Sequence, residues 1–86
     1  MLLGDVARSE GDLARAEEHY RAGRALLDET GHRREACVAA THLGEVLREG
    51  GRWGEASALL VDTEEQTRQL GAPDALGRCL DARARL

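Results

Sequence analysis

The chain has 86 residues, so it forms at most one compact domain, near the size at which a single core is barely sufficient. Its net charge is −4 and its acidic and basic residues are interleaved, which argues against a nucleic-acid partner, since such a partner requires a clustered basic surface. No apolar run approaches the roughly 18–20 residues of a membrane span, and no signal-peptide pattern opens the sequence. We therefore expect a cytoplasmic protein.

The first half of the chain predicts a short helix followed by a long one. The short helix covers residues 1–8 and ends at Gly11. The long helix covers residues 13–27, where Asp12 can cap its first turn and a Thr-Gly pair ending at Gly31 stops it. Small aliphatic residues supply most of the apolar content, which favours closely packed helices over sheets.

The second half predicts three more helices and no strand. One runs from about residue 33 to Gly50, and another runs from near Arg52 to near Leu70. Pro73 opens a closing helix, since proline is tolerated in a first turn. The first of these three has apolar residues spaced i, i+4, i+7 and i+11, which indicates one buried face: Ala36, Ala40, Leu43 and Leu47.

A repeat with a period of 40 residues runs through these helices. Leu3-Gly4 recurs as Leu43-Gly44, and the match continues on both sides of the dipeptide. The further identical pairs are Val6 with Val46, Arg8 with Arg48, Gly11 with Gly51, Ala16 with Ala56, and Gly31 with Gly71. A fixed-period self-match indicates a stacked repeat, whose units bury their apolar faces only against neighbours. Such a stack is expected to present a surface that binds a partner.

The repeat resembles the tetratricopeptide repeat. The middle unit reads Leu43-Gly44-x-x-Leu47 and then Gly51-x-Trp53-x-x-Ala56-x-x-x-Leu60, and the first reads Leu3-Gly4-x-x-Ala7 and then Gly11-x-Leu13-x-x-Ala16-x-x-x-Tyr20. The ordinary unit has about 34 residues. The longer variety seen here looks like the carboxyl-terminal repeats of large bacterial transcriptional regulators and signalling ATPases. Period alone also admits HEAT or armadillo repeats.

The resemblance implies an all-α, right-handed solenoid of five antiparallel helices, about two and a half units, in a single domain over residues 1–86. Residues 1–30 form a first unit with a clipped first helix, 31–70 the second unit, and 71–86 the closing helix. Each second helix packs between the first helices of its own unit and the next. We expect a buried Trp53 and a close helix approach at Gly44, with these residues in the core: Tyr20, Leu43, Leu47, Ala56 and Leu60.

The candidate binding site comes from the same resemblance. In a helical-pair solenoid the first helices line a concave face, whose exposed residues contact a bound peptide. The family's geometry selects positions two and five residues before and after the Leu of the Leu-Gly pair, which Arg83-Ala84 replaces in the closing helix. These are Met1, Asp5 and Arg8 in the first unit, Val38, Thr41, Glu45 and Arg48 in the second, and Arg78, Asp81 and Arg85 in the closing helix. Two alternatives remain for this surface. Its arginines bind the terminus of a peptide, or it is the solvated surface of a repeat that acts only as a spacer.

No catalytic, cofactor or metal site is predicted. His19, His32 and His42 have no second ligand at a metal-binding spacing. Cys37 and Cys79 form no C-x-x-C, so we expect small core residues and no disulfide.

Two functions remain open, and an enzyme is not among them. The first is a protein-interaction module of a larger bacterial regulatory or signalling protein, binding a peptide or partner domain on its concave face. The second is a sensor of a short peptide or small effector within a transcriptional regulator. Because the clipped first unit leaves apolar residues uncovered, we also expect the chain to self-associate as a dimer through residues 1–27.

Overall fold

A computed structural model describes residues 11–86 of the chain. These residues form four helices and no strand: α1 (Leu13–Glu29), α2 (Arg33–Glu49), α3 (Trp53–Leu70) and α4 (Pro73–Ala84). The all-α class is therefore confirmed for this range. The described residues hold four helices instead of the expected five, and the short helix predicted over residues 1–8 lies outside them.

Helix starts recur every 20 residues, at positions 13, 33, 53 and 73. The turn before each start contains a glycine with positive φ: Gly11 at 79°, Gly31 at 82°, Gly51 at 80° and Gly71 at 64°. A side chain with a Cβ is strained in this left-handed region, so glycine sets where each helix ends. Connections of two or three residues make consecutive helices antiparallel neighbours.

Local signals fix the helix ends close to their predicted positions. The Asp12 carboxylate accepts the Arg15 backbone N–H at 3.0 Å and caps α1. Proline occupies the start of α4. An acidic residue lies in the first turn of α2, α3 and α4, where it interacts favourably with the helix dipole: Glu35, Glu55 and Asp74.

The core lies between α2 and the helices on either side of it. Helix α2 contacts α1, α3 and α4, and α3 lies between α2 and α4, as the repeat predicted. Two clusters fill these contacts: Ala16, Tyr20, Leu43, Val46, Leu47 and Ala56 form one, and Leu60, Cys79 and Ala82 form the other. All five residues expected in the core are buried, with at most 3 % of any of them exposed.

Helices α2 and α3 approach closely at Gly44. A Cβ placed on Gly44 would lie 2.6 Å from Leu60 Cδ2 and 2.8 Å from Leu60 Cγ. Both distances are below van der Waals contact, so glycine is required for this spacing. The predicted close approach at Gly44 is confirmed, and its counterpart Gly4 lies outside the described residues.

The prediction of a buried Trp53 is wrong, since 51 % of this residue is exposed. Its counterpart Leu13 is half-buried and packs against the core beside Val46 and Leu47 of α2. The residue 40 positions after Val46 is Leu86, which follows the end of α4 and is 38 % exposed. Within the described residues, Trp53 therefore lacks the cover that Leu13 has.

Exposed ion pairs connect neighbouring helices. Arg52 bridges Glu17 of α1 and Glu55 of α3, Arg34 lies 3.2 Å from Asp74, and Arg83 donates to Glu64 at 2.7 Å. Arg52 also lowers the pKa of the Glu55 carboxyl, chiefly through its hydrogen bond. Such exposed pairs contribute only about 0–1 kcal/mol each, so burial of apolar surface carries the stability.

Candidate functional site

A cleft of about 190 Å³ lies between α2 and α4, and we refer to it as the α2–α4 cleft. Its walls are Val38, Thr41, His42 and Glu45 from α2, and Arg78, Asp81, Ala82 and Arg85 from α4 and the residue that follows it. Six of the ten candidate positions meet here: Val38, Thr41, Glu45, Arg78, Asp81 and Arg85. Arg48 does not line this cleft, and Met1, Asp5 and Arg8 lie outside the described residues.

The floor of the cleft is mainly apolar. Val38 and Ala82 face it, and Ala82 is buried. Thr41 was selected as an exposed position, but only 2 % of it is accessible, and its hydroxyl donates to the Cys37 carbonyl at 3.0 Å. This bond occupies the Thr41 hydroxyl within its own helix. Thr41 therefore shapes the floor and is a weak donor toward a ligand.

The rim of the cleft is charged, and its two arginines differ. Arg85 Nη1 lies 3.7 Å from Glu45 Oε2, and Arg85 Nη2 donates to Asp81 Oδ2 at 2.9 Å. Two carboxylates therefore neutralise the charge of Arg85. Arg78 is exposed and makes no ion pair or hydrogen bond within residues 11–86. Its guanidinium is therefore the cation at this rim that is free to bind a ligand.

His42 belongs to the cleft and was not selected from the sequence. Its ring stacks on Tyr20, with ring centroids 5.5 Å apart and planes inclined by 20°. Its Nδ1 is shielded from solvent, lies 3.6 Å from Glu45 Oε1, and has no hydrogen-bond partner in the described part of the chain. Tyr20 precedes His42 by 22 positions, so only the tertiary packing of α1 on α2 reveals this contact.

The described residues include two cysteines, and neither lines the α2–α4 cleft. Both cysteines are buried free thiols, as expected, and burial is the main cause that raises the pKa of Cys37 and Cys79. A buried neutral thiol is a poor nucleophile. Residues 11–86 also contain no group of three or more His, Cys, Asp or Glu side chains placed to hold a metal ion.

A larger depression of about 300 Å³ lies where the end of α1, the start of α2 and the end of α3 meet. Its lining is mostly polar and comes from helix ends: Asp28, Arg33, Gln66, Gln69 and Leu70. Leu70 supplies its only apolar wall. The α2–α4 cleft is smaller, but two helices packed side by side form it, and it combines an apolar floor with a charged rim.

No protein-family model, curated protein or solved structure matches this chain. Over residues 11–86, no helix combines the length and the apolar character that crossing a bilayer requires.

Proposed function

We propose that this protein is a peptide-binding helical repeat module whose helices form about two and a half tetratricopeptide units. The observation that carries the proposal is the α2–α4 cleft, where six positions selected on the repeat's binding face lie around one apolar floor. The 20-residue recurrence of helix starts supports a repeat of paired helices, since α1 and α3 begin 40 residues apart and so do α2 and α4.

The cleft favours an extended peptide over an enclosed effector. Pockets that enclose small molecules have volumes of about 300–1,000 Å³, whereas this cleft offers about 190 Å³. A peptide that crosses the cleft would place one small side chain over Val38 and Ala82. A carboxylate of the peptide would pair with Arg78, and peptide N–H groups would donate to Glu45 and Asp81. This comparison of volumes ranks a small effector second as the ligand of the α2–α4 cleft.

Peptide selection followed by calorimetry tests the proposal. We expect the wild-type protein to enrich peptides from a random displayed library and to bind them with measurable heat. Arg78→Ala should weaken this binding roughly 10- to 150-fold, since a hydrogen bond to a charged group contributes about 1.5–3 kcal/mol. Arg33→Ala is the matched control, because Arg33 is also exposed and unpaired in the described range but lies outside the cleft. Equal losses in both variants, or no enrichment, would refute the proposal.

Self-association through the α1 end is a second, independent proposal about partners. Leu26 on α1 is 59 % exposed, the largest exposed fraction among the big apolar side chains of the described range. We expect sedimentation at micromolar concentration to show a dimer that Leu26→Glu converts to a monomer. A wild-type monomer of 9.3 kDa would contradict this expectation.

A further inference from the structure

The solvent-facing surface of α3 carries an uncharged patch that the proposed peptide site does not use. Five neighbouring exposed positions between residues 53 and 61 form it, and we call it the α3 patch: Trp53, Gly54, Ser57, Ala58 and Val61. Trp53 is 51 % exposed and Val61 is 45 % exposed. The three residues between them are small, so a partner's backbone can approach the helix closely.

Unpaired carboxylates border this patch. Asp62 accepts a hydrogen bond from Gln66 Nε2 at 2.9 Å, and Glu65 accepts one from Gln69 Nε2 at 3.3 Å. Neither carboxylate forms an ion pair with another described residue. Glu55 lies on the same border and binds Arg52. The rim is therefore acidic, and two of its charges are available to a cationic partner.

The equivalent positions of the other repeat unit show that the fold does not require an uncharged patch here. Helix α1 holds the equivalent positions 40 residues earlier, with the opposite distribution of charge. Its central positions are charged, since Glu18 stands for Ala58 and Arg21 for Val61. Two of its border positions are alanines, since Ala22 stands for Asp62 and Ala25 for Glu65, and Arg15 stands for Glu55. The fold thus accepts charges at the centre, and α3 lacks them there.

We infer that the α3 patch docks a basic amphipathic helix of a partner protein. The partner's aliphatic stripe would cover Trp53 and Val61, and its Lys or Arg side chains would reach Asp62 and Glu65. Tryptophan is enriched among residues that dominate binding energy, and an acidic rim around an apolar centre selects a basic partner. This surface lies on α3, apart from the α2–α4 cleft, so the inference does not depend on the proposed peptide site.

The intrinsic fluorescence of Trp53 measures docking directly, because Trp53 is the only tryptophan in the chain. The probe is a synthetic helix of Leu and Lys with Leu at i, i+3, i+4 and i+7, and the comparison peptide has Glu in place of Lys. We expect the basic peptide to shift Trp53 emission to shorter wavelength and the acidic peptide to leave it unchanged. Asp62→Asn combined with Glu65→Gln should weaken binding at least about tenfold, as expected when two charge pairs are lost.

A variant that keeps the net charge distinguishes docking on the α3 patch from general attraction of a basic peptide to an acidic protein. The variant Ala58→Glu with Val61→Arg takes its residues from α1 and leaves the net charge at −4. We expect it to melt cooperatively and to lose at least tenfold in affinity for the basic peptide. The reciprocal control, Glu18→Ala with Arg21→Val, should bind as wild type does.

Three results would overturn the inference. The first is that the wild-type protein does not bind the basic peptide, and the second is that the charge-neutral variant binds it as tightly as wild type. The third is that the charge-neutral variant abolishes a wild-type oligomer, which would make a second copy the occupant.

Discussion

The substitution Gly44→Ala tests how closely α2 and α3 pack at this position. In a helix interior, alanine is more favourable than glycine by about 1 kcal/mol, so the change on its own would stabilise α2. Against this gain, the new Cβ would lie 2.6 Å from Leu60 Cδ2 and 2.8 Å from Leu60 Cγ. Leu60 is fully buried in a cluster with Cys79 and Ala82, so it has little room to move. The two helices must therefore separate.

Overpacking of this kind costs about 1–3 kcal/mol. We therefore expect Gly44→Ala to lower the free energy of unfolding by up to roughly 2 kcal/mol, once the propensity gain is subtracted. For a domain of this size, the corresponding fall in Tm is at most roughly 16 °C. Urea denaturation followed by far-ultraviolet circular dichroism gives the free energy, provided that the urea dependence is unchanged.

Gly77→Ala is the matched control for this prediction. Gly77 lies inside α4 with no atom within 4 Å of its added Cβ, so only the propensity gain applies. We expect Gly77→Ala to stabilise the protein by roughly 0.5–1 kcal/mol. In a double-mutant cycle, Leu60→Ala should relieve part of the Gly44→Ala cost, because it removes the clashing carbons. If Gly44→Ala stabilises the protein as much as Gly77→Ala, the close approach of α2 and α3 is refuted.

Three further predictions follow from the described contacts. Asp12→Ala should cost about 1 kcal/mol through loss of the α1 cap, and Asp12→Asn should largely preserve stability in the same urea assay. Trp53→Ala should cost well under the roughly 3–5 kcal/mol of a buried aromatic, so a larger loss of Tm would contradict its exposure. Burial raises the pKa of Cys37 and Cys79, so the folded state holds these protons more tightly than the unfolded state. The contribution of the two thiols to the free energy of unfolding should therefore be fully present below the ordinary thiol pKa of roughly 8.5 and decrease as the pH rises above it. A variant with alanine at both positions should lose less stability over the same pH range.

Much of the fold was predictable because the residues that begin and end its helices act locally. The Asp12 cap, the glycine turns and Pro73 placed the helix ends within about two residues, which is the usual uncertainty of helix assignment. The 40-residue match then identified the core, since equivalent positions in the two units meet equivalent neighbours. Trp53 is the exception, since it is half-exposed whereas its counterpart Leu13 packs against the core.

The candidate site was predictable as a region, but its details were not. Spacing from the Leu-Gly pair brought Arg78 and Glu45 to one cleft across two helices. It could not show that the Thr41 hydroxyl binds the Cys37 carbonyl or that the His42 ring stacks on Tyr20. Both depend on side-chain packing, and neither follows from helical periodicity.

Chemical-shift mapping tests the central claim, peptide binding in the α2–α4 cleft, most directly. A library-selected peptide would be titrated into isotope-labelled protein while backbone amide shifts are recorded. We predict that the largest shifts cluster on the cleft walls, at Val38, His42, Arg78, Asp81 and Arg85, and become much smaller in Arg78→Ala at the same peptide concentration. Shifts confined to other surfaces, or absent at saturating peptide, would contradict the proposed function.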